Sequence, residues 1–273
     1  MIPAPPTKPS PATVLRLSPR RHPIVQGLRR GMLKALVACG LYPHIHNNRM
    51  PFKTLEFREL LRGVRFSRRD RVLDLGCGTG TQTLVVGRRC GEIVGVDVSE
   101  TAVAQAQQMG AHFEGMIDAK FHCTRVEQAG FEGDSFDKVC SFCVIEHIPN
   151  SQEVLQELHR LLKPNGQLIL SADSLETITD MEIIEKHAQE NFVVQYFRED
   201  TLRKALEKAG FRDIQIWPIF RSDFARREFI AGIRRQFSYG FVRAYWNYLR
   251  LRWHEAVTSR KKPGIFLIAQ CRK

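Results

Sequence analysis

The chain reads as an α/β protein built on a doubly wound, mostly parallel seven-stranded sheet, and three observations predict it. From residue 71 onward, short apolar runs alternate with helix-length amphipathic segments, the pattern of strands joined by crossover helices. The first apolar run passes directly into the glycine-rich turn Gly76-Cys77-Gly78-Thr79-Gly80 and then into a helical pattern. The second ends in Gly95-Val96-Asp97-Val98-Ser99, which puts a carboxylate at its carboxyl end.

Strands are predicted at 71–75, 93–98, 119–123, 138–144, 167–172, 213–219 and 264–270, and helices at 80–89, 100–109, 151–162 and 198–209. Pro164 and Gly166 stop the helix at 151–162, and Gly210 caps the one at 198–209. No helix-length crossover of the usual sort joins the last two strands, so an antiparallel pairing is expected at one edge. Ahead of the sheet, Ile24, Val25, Leu28, Met32, Leu36 and Val37 recur at helical spacing over 24–41, and Pro43 ends that helix. A second short helix at 52–63 leads into the core. The organisation is therefore an N-terminal helical cap at 24–63 and a main domain at 64–273, with a helical insertion at 221–262 before the last strand. Residues 1–23 hold seven prolines and no acid, and they read as a disordered tail.

With 273 residues, the chain has enough material for one large domain or two small ones. Its 43% hydrophobic and 26% charged content is that of a soluble globular protein and excludes the disordered and fibrous classes. No apolar stretch reaches the roughly 18 to 20 residues needed to span a bilayer, and no apolar core of a secretory signal follows the N-terminal charges. The seven cysteines are scattered. Cys140 and Cys143 form an isolated C-x-x-C inside a strand pattern, which reads as buried thiols without a metal. A reducing, cytoplasmic setting follows. The acid-free start, which runs through Leu55, also suits an organelle transit signal, although its proline density argues against a helical one.

Charge is distributed unevenly. Residues 1–71 carry 15 Lys/Arg against 3 Asp/Glu, residues 72–220 carry 13 against 23, and residues 221–262 carry 11 against 3. An acidic centre between two basic arms points to an anionic partner: a membrane surface, a nucleic acid or a phosphorylated substrate.

A glycine turn between strand and helix lets a ligand approach the backbone closely. In an open α/β sheet, ligands lie at the carboxyl ends of the strands near the point where strand order reverses. Asp97 at the second strand end can accept the two ribose hydroxyls of an adenosine ligand. Taken together, D-L-G-C-G-T-G at 74–80, G-V-D-V-S at 95–99, Phe136-Asp137, Val144-Ile145-Glu146-His147-Ile148 and L-K-P-N-G-Q-L at 162–168 resemble a class I S-adenosylmethionine-dependent methyltransferase of the small-molecule or lipid type (methyltransferase type 11-like), over about residues 60–220. The G-x-G-x-x-G of dinucleotide enzymes is absent.

The resemblance implies a Rossmann-like methyltransferase fold and S-adenosyl-L-methionine as cofactor. It also implies positions. The loop of Gly76, Cys77, Gly78, Thr79 and Gly80 should wrap the methionine part of the cofactor, and Asp74 should hold its amino group, directly or through water. Asp97 should bind the ribose, with Val98 against the adenine and Ser99 beside it. Thr124 or Arg125 stands where an acid facing the adenine amino group is usual in the family, and Val126 can offer its backbone N–H. Ser141 and Phe142 should lie at the methyl-donor end. The Val-Ile-Glu-His-Ile element resembles that of quinone-precursor O-methyltransferases, which makes Glu146 and His147 catalytic candidates. His147 is either a base on the acceptor side or a cap of the following helix region. His187 is a second candidate base, since histidine titrates near neutral pH. No metal ligand set is expected.

Segments outside the shared core should choose the acceptor: residues 24–55, including Tyr42, His44 and His46; residues 173–197; and residues 221–262. The last holds Phe224, Phe229, Phe237, Tyr239, Phe241, Tyr245, Trp246, Tyr248 and Trp253 among seven arginines over 226–252. Three roles remain open for it: a lid packed on the core, an anionic membrane interface shared with 24–41, or a single-stranded nucleic-acid surface. The expected activity is methyl transfer to a small-molecule or lipid-like acceptor at a hydroxyl, by a cytoplasmic protein touching a membrane surface. An RNA methyltransferase and a non-catalytic cofactor-binding adaptor are the alternatives. No recognisable RNA-binding module and no N-P-P-Y-type sequence supports the RNA reading.

Overall fold

The structure is a computed structural model that describes residues 50–237 and 240–273. The readings made for 1–23 and for 24–41, and the substrate positions Tyr42, His44 and His46, lie outside the described residues.

The described chain begins with α1 (Pro51–Leu60), whose first-turn proline has no N–H to waste. The sheet follows as β1 (Arg71–Leu75), α2 (Thr81–Gly87), β2 (Glu92–Asp97), α3 (Glu100–Gly110), β3 (Asp118–Cys123), β4 (Phe136–Phe142), α4 (Ser151–Leu161) and β5 (Leu162–Asp173). Helices α5 (Met181–Asn191) and α6 (Glu199–Lys208) lead to β6 (Arg212–Ile219), and α7 (Asp223–Arg234) and α8 (Phe241–Val257) separate it from β7 (Phe266–Arg272). The strand order is β3-β2-β1-β4-β5-β7-β6, seven strands in one sheet. β3 through β5 run parallel, whereas β7 runs antiparallel to both β5 and β6. The antiparallel pairing expected at one edge is therefore present. The reversed strand is β7, one place in from the edge, and β6 is outermost.

Alternation along the strands divides the core. Val72, Ile93, Cys140, Ile169 and Ile268 face a layer that includes residues of α1, α2, α7 and α8, whereas Leu73, Val94, Val139, Leu168 and Leu267 face α4 and α6. Strand order reverses between β1 and β4, so the crevice at their carboxyl ends is where a ligand is expected.

One segment differs in kind from the sequence expectation. Residues 173–197 contain a helix, α5, where only a connection is expected. Asp180 caps it, accepting from the N–H groups of Glu182 (3.1 Å) and Ile183 (3.4 Å). The segment 221–262 is helical as expected and folds as α7 and α8, with α8 packed on α1.

Candidate active site

Two adjoining parts make up the site: a polar cradle at the ends of β1 and β2, and a cavity beyond the end of β4. The cradle starts where Gly76 (φ +71°) turns the chain out of β1. Its N–H and that of Cys77 both donate to the Val96 carbonyl, at 2.8 and 3.1 Å, which ties the turn to the end of β2. A Cβ on Gly76 would collide with the Val144 side chain, so the residue is fixed by packing. Gly78 differs: it also has positive φ, +51°, but a Cβ there would meet nothing within 4 Å. Its bare face looks into open space, as close approach by a ligand requires.

Asp97 ties the two strand ends together. Its Oδ2 accepts from the Gly78 N–H at 2.8 Å and its Oδ1 from the Ser99 N–H at 2.9 Å, leaving one lone pair on each oxygen. The side chain of Ser99 caps α3 through the Ala102 N–H. Val98 stands 70% exposed next to Asp97, an apolar surface without cover. Thr79 is exposed beside Thr81. Cys77 takes part in the turn through its backbone. Its side chain is buried against Gly95 and Phe121, and burial pushes its thiol up. Arg125 is exposed, and Val126 is buried among the strand residues at the start of a short 3-10 turn.

Asp74 supplies the telling observation. It is buried, its Oδ2 accepts from Thr83 Oγ1 at 2.5 Å, and its Oδ1 has no hydrogen-bond partner. Burial raises its pKa to about 7, against the Thr83 hydrogen bond and with help from the charge of Asp97. A buried, unsatisfied carboxylate oxygen costs free energy unless a donor meets it, and an ammonium group would do so. These residues therefore fit an adenosyl-amino acid.

Ser141 and Phe142 join the cradle to the cavity. Ser141 pairs with Leu75 at the end of β1 and is fully buried, its Oγ unpartnered. Phe142, the next residue, stacks on Phe57 and lines a cavity of about 310 Å³. Phe52, Phe229, Phe237 and Phe266 form its apolar wall, and Lys53, Cys143, His147, Asp173 and His187 its polar one.

The polar wall is a dense group of titratable side chains. Lys53 Nζ lies 2.9 Å from Glu56 Oε2. Burial opposes the lysine's charge, but Cys143, Glu56 and Asp173 outweigh it and raise its pKa. Burial also raises Asp173, to about 6, with Lys53 pulling the other way and Glu56 adding to the rise. Cys143 (φ +52°) donates its thiol to Glu56 Oε1 at 3.1 Å, and Ser171 Oγ donates to the same oxygen at 2.6 Å. His187 is 5% exposed, and burial, with the charges of His147 and Lys53, lowers it to about 4, so it is neutral at pH 7. Its Nδ1 is 3.0 Å from the Tyr196 hydroxyl, which itself donates to the Ile184 carbonyl. With the phenol proton on the Ile184 carbonyl, Nδ1 donates to the phenol oxygen, and we assign that tautomer. Nε2 is then a bare acceptor, 3.7 Å from Asp173 Oδ2.

Both histidines expected as bases thus line the cavity, His147 as its more exposed member with Nδ1 3.4 Å from the Phe192 carbonyl. Glu146 does not. It lies fully buried behind the wall, where its carbonyl accepts from the N–H groups of Val194 and Gln195 and its Oε1 from the Asp173 N–H. The structure makes it a brace for the 193–195 turn and for Asp173 rather than a group facing the acceptor. Sequence reasoning missed Lys53, Glu56, Asp173 and Cys143. Asp173 carried a readable signal, a carboxylate at a strand end like Asp97. Lys53 and Glu56 carried none beyond an i,i+3 spacing. Of the C-x-x-C pair read as buried thiols, Cys140 is fully buried, whereas Cys143 is partly buried and lines the cavity. Cys143, Glu146 and Asp173 place ligand-type atoms within 4.8 Å of one another, but the Lys53 ammonium already supplies positive charge to this group.

A family of methyltransferase domains matches residues 66–210, more than half of the chain. Among curated proteins, an arsenite methyltransferase of Mus musculus is 34% identical over 128 residues, covering 43% of this chain and 34% of that protein. A ubiquinone biosynthesis O-methyltransferase of Hahella chejuensis is 33% identical over 102 residues, covering 37% and 42%. The chain thus spans well under half the length of these relatives. Among solved structures, phosphoethanolamine N-methyltransferase 2 of Haemonchus contortus, in complex with S-adenosyl-L-methionine, superposes with a TM-score of 0.60 at 19% identity, over 80% of this chain and 52% of that one. The YcgJ protein of Bacillus subtilis gives 0.57 at 18%, over 80% and 98%. With its strand order, its glycine turn and the matched domain, the chain belongs to the methyltransferase domain family.

Proposed function

We propose that the protein transfers a methyl group to a hydroxyl oxygen of a small or lipid-like acceptor whose reacting end is an aromatic ring. The observation that carries this reading is the cavity: about 310 Å³, walled by five phenylalanines on one side and by Lys53, Asp173 and His187 on the other. That volume is at the small end of ligand pockets, and phenylalanine rings favour an aromatic guest in offset or edge contact.

Bound S-adenosylmethionine supplies a methyl group already activated on a sulfonium. In this reading Asp74 holds its amino group, Asp97 its ribose hydroxyls, and Val98 packs on its adenine. The open face of Gly78 gives it room. The phenylalanine wall orients the acceptor ring and excludes water, and orientation supplies most of the rate. Methyl transfer would break the methyl–sulfur bond and leave the demethylated cofactor as a neutral thioether, while His187 Nε2 would take the hydroxyl proton and the Asp173 carboxylate beside it would stabilise the resulting imidazolium. Lys53 keeps Asp173 ionised. The cation also favours negative charge on the acceptor oxygen.

The test is incubation with methyl-labelled S-adenosylmethionine and a panel of single-ring phenols, anilines and aryl thiols, with products read by mass spectrometry. A labelled methyl ether is expected. Transfer confined to nitrogen or sulfur acceptors, or to RNA, would contradict the reading.

A further inference from the structure

Helix α8 presents an unusual outer face. Its 17 residues make a rod roughly 25 Å long at about 1.5 Å per residue. Val242, Trp246, Leu249, Trp253 and Val257 recur every three or four residues, so at about 100° per residue they form one stripe, widened by Tyr245 and Ala256. Val242, Tyr245, Trp246, Trp253 and Val257 are between 49% and 68% exposed. The opposite face is the one the fold uses: Ala244, Asn247 and Leu251 are buried, and Glu255 is held by Arg221 at 3.1 Å. Packing among the described residues therefore does not account for the two tryptophans.

Charge frames the stripe. On the helical wheel Arg243 and Arg250 flank one side and Arg252 the other, and the only acid on the helix, Glu255, belongs to the buried face. Along the Arg252 flank runs a groove of about 1070 Å³ whose lining sets six arginines, Arg252 among them, against the three acids Glu59, Asp213 and Glu255. Of the arginines, Arg62 is paired with Glu59 and Arg221 with Glu255. Among the described residues no helix is long and apolar enough to cross a membrane. A helix lying in the interface needs an apolar aromatic face bordered by cations, which is what α8 displays.

We propose that α8 is a docking helix for an anionic lipid surface: Val242, Trp246, Trp253 and Val257 enter the headgroup–acyl boundary, and the flanking arginines with the adjoining groove take lipid phosphates. The inference does not depend on which acceptor the cavity accepts. Charge complementarity selects this occupant, since a stripe ringed by arginine meets like charge on a second copy of itself.

The experiment is flotation of the full chain with vesicles of phosphatidylcholine alone and with about a third phosphatidylglycerol. Co-flotation with the anionic vesicles only is expected, weakening as salt rises. The double variant Trp246→Ala/Trp253→Ala should reduce vesicle binding at least about tenfold, and Arg252→Gln roughly fivefold, the equivalent of one interfacial charge. Both should bind S-adenosylmethionine as the parent does, which shows that they fold. Brominated lipid should quench parent tryptophan emission and leave the double variant, which retains only Trp217, unquenched. Absence of flotation by the parent would overturn the proposal, as would variants that float as well as the parent. So would a lipid-free dimer, or a complex with single-stranded RNA, that the double variant loses while vesicle binding persists.

Discussion

Replacing Asp74 by asparagine separates the charge of this residue from its shape. The carboxylate is buried with one oxygen on Thr83 and the other unpartnered, and burial sets its pKa at about 7. A hydrogen bond from a ligand ammonium to an ionised carboxylate is worth roughly 1.5 to 3 kcal/mol, so the variant should bind S-adenosylmethionine about 10- to 150-fold more weakly at pH 7. Protonation should mimic the substitution. Between pH 7 and pH 5.5 the ionised fraction of a group titrating near 7 falls roughly fifteenfold, and cofactor affinity of the parent should fall with it. The asparagine variant should show no such slope. Stability should move the opposite way. A carboxyl whose folded pKa is raised costs stability progressively as pH climbs from its ordinary value of roughly 4 to about 7, and the cost is complete above that. At pH 8 the variant should therefore melt higher, by roughly 1 to 3 kcal/mol in free energy. Calorimetric titration at the two pH values, with a thermal melt beside it, makes the measurement. Equal affinity and an equal pH slope in parent and variant would refute the assignment of Asp74 to the amino group.

Other expectations follow from the same geometry. Gly76→Ala forces a Cβ into Val144 at positive φ and should destabilise the fold by about 1 to 3 kcal/mol, seen as a lower Tm. Gly78→Ala meets no atom within 4 Å but puts an alanine at φ +51°, so it should cost about 1 kcal/mol of stability, less than Gly76→Ala, and raise the KM for the cofactor. His187→Gln should lower kcat about 10²- to 10⁴-fold and leave cofactor affinity unchanged, since the change falls on the acceptor side. The parent's kcat/KM should fall as pH drops through about 6, where Asp173 protonates, and Asp173→Asn should remove that limb. Lys53→Met strips the cation from Glu56 and Asp173. It should cost roughly 1 to 3 kcal/mol, less than for a fully buried pair because Lys53 is half-buried, with the loss in Tm larger at pH 8 than at pH 5, where Asp173 is protonated.

What could be read from the sequence was what local chemistry decides. The turn at Gly76 and Gly78 needs positive φ, Ser99 caps α3 with its own side chain, and β1 is bounded by the glycine turn. These fixed the elements from 71 to 110 to within a few residues and placed Asp74 and Asp97 at strand ends. Helix α5 also carried a local signal, the Asp180 cap, but its apolar positions are sparse and only Ile183 and His187 are buried. The position of β7 between β5 and β6 is a long-range pairing that no short window contains. The polar wall was hidden for the same reason. Lys53 and Glu56 come from α1, Cys143 from the end of β4 and Asp173 from the end of β5, and only the folded chain brings them together. The side-chain direction of Glu146 could not be read, because a motif names a position without saying which way its side chain turns. Its carboxylate faces the Asp173 amide, behind the wall.

The most direct measurement is labelled methyl transfer to a single-ring phenol by the parent and by two variants that divide the site, Asp97→Ala in the cradle and His187→Gln in the cavity. The account predicts a labelled methyl ether from the parent. It predicts that Asp97→Ala loses cofactor affinity, and that His187→Gln binds cofactor normally but turns over about 10²-fold or more slowly. Parent-level turnover and affinity in both variants, or cofactor binding that survives Asp97→Ala unchanged, would contradict it.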